Sequence, residues 1–165
     1  QHLPGSVVFA TMEGSRPILV EVQALVSPSV YGYPKRTAVG VDINRLGLLA
    51  AVMTKRGGVN LSSSDIYVNI VGGLKVQEPA IDLAIILAIA SAHKGIALSP
   101  ELMAFGEVGL SGELRSVSFA SRRLEESGRL GFSTAIVPPQ TKTQDSITLH
   151  RAKTIADAIT YINNK

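Results

Sequence analysis

The chain has 165 residues, 45% of them hydrophobic, and no cysteine; this excludes disulfides, a thiol nucleophile and a thiolate metal site, and suits one domain with a sizeable core. Sixteen Lys and Arg against 13 Asp and Glu leave a net charge of +3, a mild bias that matters only where it is concentrated. Residues 28–60 hold Lys35, Arg36, Arg45, Lys55 and Arg56 against Asp42, whereas residues 101–126 hold five Glu against three Arg, which points either to a basic face or to a solvated charged edge.

The remaining composition excludes further classes. His2, His93 and His150 are scattered, so no zinc site is expected. No signal peptide and no membrane-spanning run is visible. The opening at Gln1, without Met, suggests an excised or processed piece of a larger protein. No linker-like stretch divides residues 1–165, which read as one domain.

Residues 6–12 and 18–25 are β-rich runs separated by Glu13-Gly14-Ser15-Arg16-Pro17, a turn-forming cluster that predicts a hairpin. A loop with two prolines, a glycine and two tyrosines follows over 27–34, then a third strand over 37–41. Residues 44–55 place Leu46, Leu49, Ala50 and Met53 at helical spacing, with Lys55-Arg56 in the last turn and Gly57-Gly58 as the stop. Residues 65–71 alternate as a strand.

Gly72-Gly73 then turns the chain out of that strand, and Pro79 suits the first turn of a helix. From Ala80 to Ala92 every residue but Asp82 and Ser91 is apolar. A helix apolar all round is a buried, central one, and this one is too short to cross a bilayer, which takes roughly 20 residues. A carboxylate at Asp82 in such surroundings needs a cation, backbone amides or the helix N-terminus. Two short strands are expected over 104–109 and 113–117, around Leu110-Ser111-Gly112. An amphipathic helix over 118–130 should turn Leu124 and Leu130 inward and Arg122, Arg123, Glu125 and Glu126 outward. Strands over 134–137 and 148–150 and a closing helix over 154–162 complete a mixed α/β pattern.

Motifs for nucleotide hydrolysis are missing: there is no Gly-x-x-x-x-Gly-Lys-Ser/Thr and no Gly-x-Gly-x-x-Gly opening a helix. A Gly-x-Ser-x-Gly nucleophile elbow is also absent. Glu107 and Glu113 fit exposed strand ends better than a catalytic carboxylate pair.

Two runs carry a resemblance. Gly72-Gly73-Leu74-Lys75-Val76-Gln77-Glu78-Pro79-Ala80-Ile81-Asp82-Leu83-Ala84 and Phe105-Gly106-Glu107-Val108-Gly109-Leu110-Ser111-Gly112-Glu113 resemble the proteolytic-type domain of Lon, from about Pro4 to the end of the chain. With Glu13-Gly14-x-Arg16-Pro17, Val20-Glu21-x-Gln23-Ala24-Leu25-Val26 and Val41-Asp42-x-Asn44-Arg45-Leu46, the chain is most similar to the C-terminal Lon-like domain of the bacterial RadA (Sms) DNA-repair family. The resemblance implies an α/β Lon-protease-type fold related to the second domain of ribosomal protein S5. In active Lon domains a Ser just after the proline of the central helix pairs with a Lys beyond the Gly-Glu hairpin, the Lys activating the Ser. Here those positions are Ala80 and about Ser121, so no peptidase and no catalytic residue is expected.

With catalysis set aside, function should lie on the surface. Arg36, Arg45, Lys75 and Arg115 are ranked first as DNA-backbone contacts, then Lys35, then Lys55 and Arg56; Tyr31 and Tyr33 can stack on unpaired bases. The resemblance further implies a parent protein with an N-terminal zinc motif and a RecA-like ATPase, hence ATP, Mg and Zn outside these residues and no cofactor within them. It implies a cytoplasmic, nucleoid-associated, DnaB-like hexameric ring acting in recombination and branch migration, with DNA and recombinase filaments as partners. Three alternatives stay open: an oligomerisation scaffold without DNA contact, an active Ser–Lys peptidase, and the Lon-like segment of a magnesium-chelatase-type ATPase, to which the 13–26 motif lends nothing.

Overall fold

The computed structural model describes residues 3–163; His2 lies outside them. The hairpin forms as expected: β1 (Ser6–Glu13) pairs antiparallel with β2 (Arg16–Pro28). β2 is long enough to pair on its other side with β4 (Ser64–Ile70), and β3 (Arg36–Val39) runs parallel to β4 at the sheet edge. α1 (Ile43–Arg56) makes the crossover between these two parallel strands. Asp42 caps its start by accepting from the Arg45 amide at 3.1 Å.

The Gly72-Gly73 pair takes positive φ, 96° and 77°, and releases the chain from β4 as its sequence predicts. Gly40 has the same freedom at φ 91°; a Cβ there would stand 2.7 Å from the Leu74 carbonyl oxygen. That close approach lets the Val76 amide donate to the Gly40 carbonyl at 2.8 Å, which ties the glycine loop to the end of β3. Pro79–Ile81 form one 3₁₀ turn, and α2 (Asp82–Lys94) follows, ended by Gly95 in the left-handed conformation. Asp82 to Ser91 are all buried. α2 packs on β1 and β2, with α1 and α4 (Ile155–Asn163) also against it. Among the described residues no helix is long and apolar enough to cross a membrane.

Two expectations are corrected. The strand expected over 104–109 is split: β5 (Leu102–Ala104) enters the main sheet beside β1, while β6 (Glu107–Val108) pairs with β7 (Leu114–Arg115) in a separate hairpin. The break falls at Gly106, whose amide donates to Ala80 at 2.9 Å and whose carbonyl accepts from Leu83 at 3.0 Å, so the chain leaves the sheet to hold the start of α2. The helix expected over 118–130 is α3 (Ala120–Arg129), with Arg123 fully buried and Leu130 half exposed. β8 (Thr134–Val137) and β9 (Thr148–Arg151) finish a seven-stranded sheet in the order β3-β4-β2-β1-β5-β8-β9, mixed but mostly parallel.

Candidate functional site

Ala80, which the resemblance would put at the nucleophile position, is buried in the 3₁₀ turn, and its carbonyl accepts the Gly106 amide. Ser121, near where the resemblance would put the partner lysine, is exposed on α3 and lines a groove to which Ala80 does not contribute. Asp82 sits two residues on, wholly buried, and meets the requirement its sequence sets. Arg45 Nε donates to its Oδ1 at 3.0 Å, Arg45 Nη2 donates to Oδ2, and the Val108 amide donates to Oδ2 at 3.0 Å. Arg45 Nη2 also reaches the Val108 carbonyl at 3.2 Å, so one guanidinium joins α1, α2 and β6. Burial pushes the Asp82 carboxyl upward, with Arg45 and the amide pulling it back in part; the hydrogen bond to Asp82 holds Arg45 more firmly protonated.

A second ion pair stands just before the 3₁₀ turn, where the sequence gives no expectation of one. Arg123 Nη2 donates to Glu78 Oε1 at 2.6 Å and Nη1 to Oε2 at 3.2 Å, while the same guanidinium reaches the carbonyls of Ala10 at 2.6 Å and Ser118 at 3.0 Å. Its carbon lies 5.5 Å from the centroid of the Phe9 ring. Glu78 accepts further from the Met12 amide at 2.8 Å and the Thr11 hydroxyl at 2.9 Å. Burial alone would raise the Glu78 carboxyl, but these donors together hold it below the usual carboxylate range. The sequence carries one signal for this pair: Ala120, Arg123, Leu124 and Ser127 share a helical stripe, which puts Arg123 on the inward face.

The candidate DNA contacts fall into two groups. Arg45, Lys75 and Arg115 gather at one end of the molecule. Lys75 and Arg45 flank adjoining hollows that share Val41, Asp42, Val76 and Gln77. Arg115, bonded to Glu113 at 2.7 Å, stands 4.0 Å from Glu107, whose charge also acts on Arg45. Arg36 and Lys35 lie at the opposite end of β3, beside the exposed Tyr31 and Tyr33. Arg36 is committed to backbone, donating to the carbonyls of Ser64 and of Leu61, the latter at 3.1 Å, and burial lowers its pKa. Lys55 and Arg56 end α1, with Arg56 packed near Gly112 of the hairpin that carries Arg115. Lys75, Lys35, Lys55 and Arg56 are exposed and form no ion pair among the described residues. The four cations ranked first thus differ in kind: Lys75 is free, whereas Arg36, Arg45 and Arg115 also hold the fold.

The family described as "Subunit ChlI of Mg-chelatase" matches residues 35–141. Among curated relatives, a DNA repair protein RadA of Halalkalibacterium halodurans is 50% identical over 134 residues, 81% of this chain and 29% of that protein. One of Pseudomonas aeruginosa is 52% identical over 84% of this chain and 30% of its own length. One of Aquifex aeolicus is 44% identical over 159 residues, 96% of this chain and 36% of its own length. The chain therefore spans about a third of the length of these relatives. The Aquifex match leaves only six residues uncovered (165 less 159), so it takes in the 13–26 hairpin, which the family match does not reach.

Two outcomes follow from the ion pairs. Arg45→Met strands a buried carboxylate and should cost about 3–5 kcal/mol in urea unfolding, whereas Arg45→Met with Asp82→Leu should recover most of the loss. For Glu78 the folded pKa lies below the unfolded value of about 4.3, so its stabilisation is complete above that value and is lost as pH falls through the folded one. The stability gap between wild type and Glu78→Gln should accordingly be constant from pH 7 to 5 and close at lower pH.

Proposed function

The chain belongs to the family described as subunit ChlI of Mg-chelatase, and we propose that within it this is a Lon-like domain of the RadA type that binds DNA and assembles as a ring scaffold. Identity of 50% to one protein named for DNA repair, and of 44% to another whose match takes in the hairpin that the family match omits, supports the RadA type over the chelatase-type segment. The reading includes the fold: a Lon-type α/β domain whose peptidase site is dead, since Ala80 has no nucleophilic oxygen and Ser121 no basic nitrogen. A zinc motif and a RecA-like ATPase using ATP and Mg belong in this proposal to sequence outside the chain.

The observation that carries DNA binding is the presentation of Lys75. It stands exposed and, among the described residues, unpaired on a glycine loop tied before it by the Val71 amide to the Glu21 carbonyl at 3.0 Å and after it by the Val76 amide to the Gly40 carbonyl at 2.8 Å. A cation held in place on a rigid loop loses less freedom when it meets a phosphate. Arg45 and Arg115 flank it, and contacts of this kind read the backbone, not the bases. Assembly has a separate support: the outer face of β2, β4 and β3 exposes Leu25, Tyr67 and Val39, with Leu25 directly opposite Tyr67, and β3 is an open edge. We assign this face to a second copy of the chain.

Fluorescence anisotropy of labelled DNA across a salt series tests the reading, with sedimentation velocity on the same samples reporting assembly. Lys75→Glu should weaken binding about tenfold and reduce the slope of log affinity against log salt by about one phosphate. Lys35→Glu, at the far end of β3, should have a smaller effect. Arg36 and Arg45 are poor probes because their replacement disturbs the fold. Unchanged affinity in Lys75→Glu defeats the DNA-surface reading, and a monomer at every concentration defeats the scaffold.

A further inference from the structure

We infer that a groove at the start of α3 is a further nucleic-acid contact, one that takes an unpaired base against Phe119 and the adjoining phosphates on Lys142 and Arg122. The inference rests on the DNA-surface reading for the kind of polymer and adds to it a preference for single strands. The groove has a volume of about 410 Å³ and lies between the turn from β7 into α3 and the segment that follows β8. Phe119, Ser121, Arg122, Gln140, Thr141 and Lys142 line it, and no acidic side chain does.

Three features point to this ligand. Phe119 is the one non-glycine residue at positive φ among those described, at φ 58° and ψ 31°, and it is 48% exposed. Phe119 begins α3, its carbonyl accepting the Arg123 amide at 3.0 Å, but the left-handed conformation disfavours residues with a Cβ and an exposed ring gains little from burial; such backbone clusters at binding sites. Next, the cations around the groove keep their charge. Arg122 donates to the Ser15 carbonyl at 2.9 Å and places its guanidinium carbon 5.6 Å from the Phe119 centroid. Arg151 donates to the Thr141 carbonyl and the Thr143 hydroxyl, each at 2.9 Å. Both are held by neutral oxygens, and Lys142 forms no ion pair among the described residues, so no described carboxylate neutralises any of them. Finally, the polar atoms that remain are of the right kind: the Gln140 amide and the Ser121 and Thr141 hydroxyls donate and accept, as base edges require. A flat ring beside fixed cations is the arrangement that grips single-stranded nucleic acid, because a duplex hides the faces of its bases. Arg115 immediately precedes the groove in sequence, which joins it to the Lys75 group.

The test compares oligo-dT with a duplex of equal length by anisotropy, using the 165-residue chain and four variants. Phe119→Gly removes the ring and relieves the positive φ, so it should melt no lower than wild type, bind dT about tenfold more weakly and bind the duplex unchanged. Phe119→Trp should retain dT binding, and Lys142→Glu should weaken it. Lys75→Glu serves as the reference for the other end of the surface. If Phe119→Gly and Lys142→Glu bind dT as wild type does while Lys75→Glu is weakened, the groove is excluded and the DNA-surface reading stands. If wild type binds neither DNA, both fall. Competition by poly-glutamate as effective as by dT overturns the base contact, leaving a site for any polyanion.

Discussion

A helix without a polar face has to be enclosed on every side, and the enclosure of α2 governs most of this structure. Its ten buried residues from Asp82 to Ser91 need a sheet on one side and other helices around the rest. β1, β2, α1 and α4 supply that enclosure. The one charge in the run cannot be left alone in such a place. Arg45 answers it, and because Arg45 lies in the first turn of α1 and Val108 in β6, three segments distant in sequence are fixed by a single carboxylate. The other buried polar side chain of the same helix behaves alike. Ser91 accepts the Gly5 amide at 2.9 Å and donates to the Ile96 carbonyl at 2.5 Å, tying the far end of α2 to the start of β1.

Glu78 and Arg123 do for the glycine loop what Asp82 and Arg45 do for the helix. Arg123 is buried and has four oxygen partners, two of them main-chain carbonyls, so it is a strut between α3 and β1 and not a surface charge. Together the two pairs bracket residues 78–82, the stretch where a Lon-type site would place its nucleophile. A turn held by Gly106 on both its amide and its carbonyl side, with alanine at its centre, is a support. Its effect is exported to Lys75, which is displayed on the loop that the turn anchors.

Much of this was legible in the residues, and the reasons differ from place to place. The hairpin, α1, the glycine turn and the buried helix are written in local chemistry: turn formers, helical spacing, positive-φ glycines and an unbroken apolar run. The partner of Asp82 was legible as a need, since a buried carboxylate admits few solutions, although which cation answers it was not. The split at Gly106 was hidden because Leu102–Ala104 and Glu107–Val108 look like one apolar strand; only the hydrogen bonds to Ala80 and Leu83 separate them. Arg123 was misplaced because charge argues for solvent, whereas its position in the stripe with Leu124 and Ser127 argues for the core. Here the stripe prevailed, since Glu78 and two carbonyls could receive the guanidinium. Whether the basic residues act as a DNA surface could be ranked from the sequence but not decided, because pairing is a property of the fold.

Pairing also changes what the charge count means. An arginine bonded to a carboxylate, such as Arg45, Arg115 or Arg123, presents a dipole whose field decays quickly, so it adds little at a distance comparable to the Debye length of about 8 Å. An arginine bonded to carbonyls, such as Arg36, Arg122 or Arg151, spends its hydrogen bonds yet keeps its full charge. The lysines at 35, 55, 75 and 142 keep both charge and donors. The far field of the molecule is therefore set mainly by residues held on neutral oxygens or on nothing, while the carboxylate-bonded arginines act at contact range. A net charge of +3 conceals this separation. The cations whose charge reaches furthest and those that fix the frame are largely different residues, so under the proposed DNA contact the first would act at a distance and the second would set the surface that a phosphate chain meets.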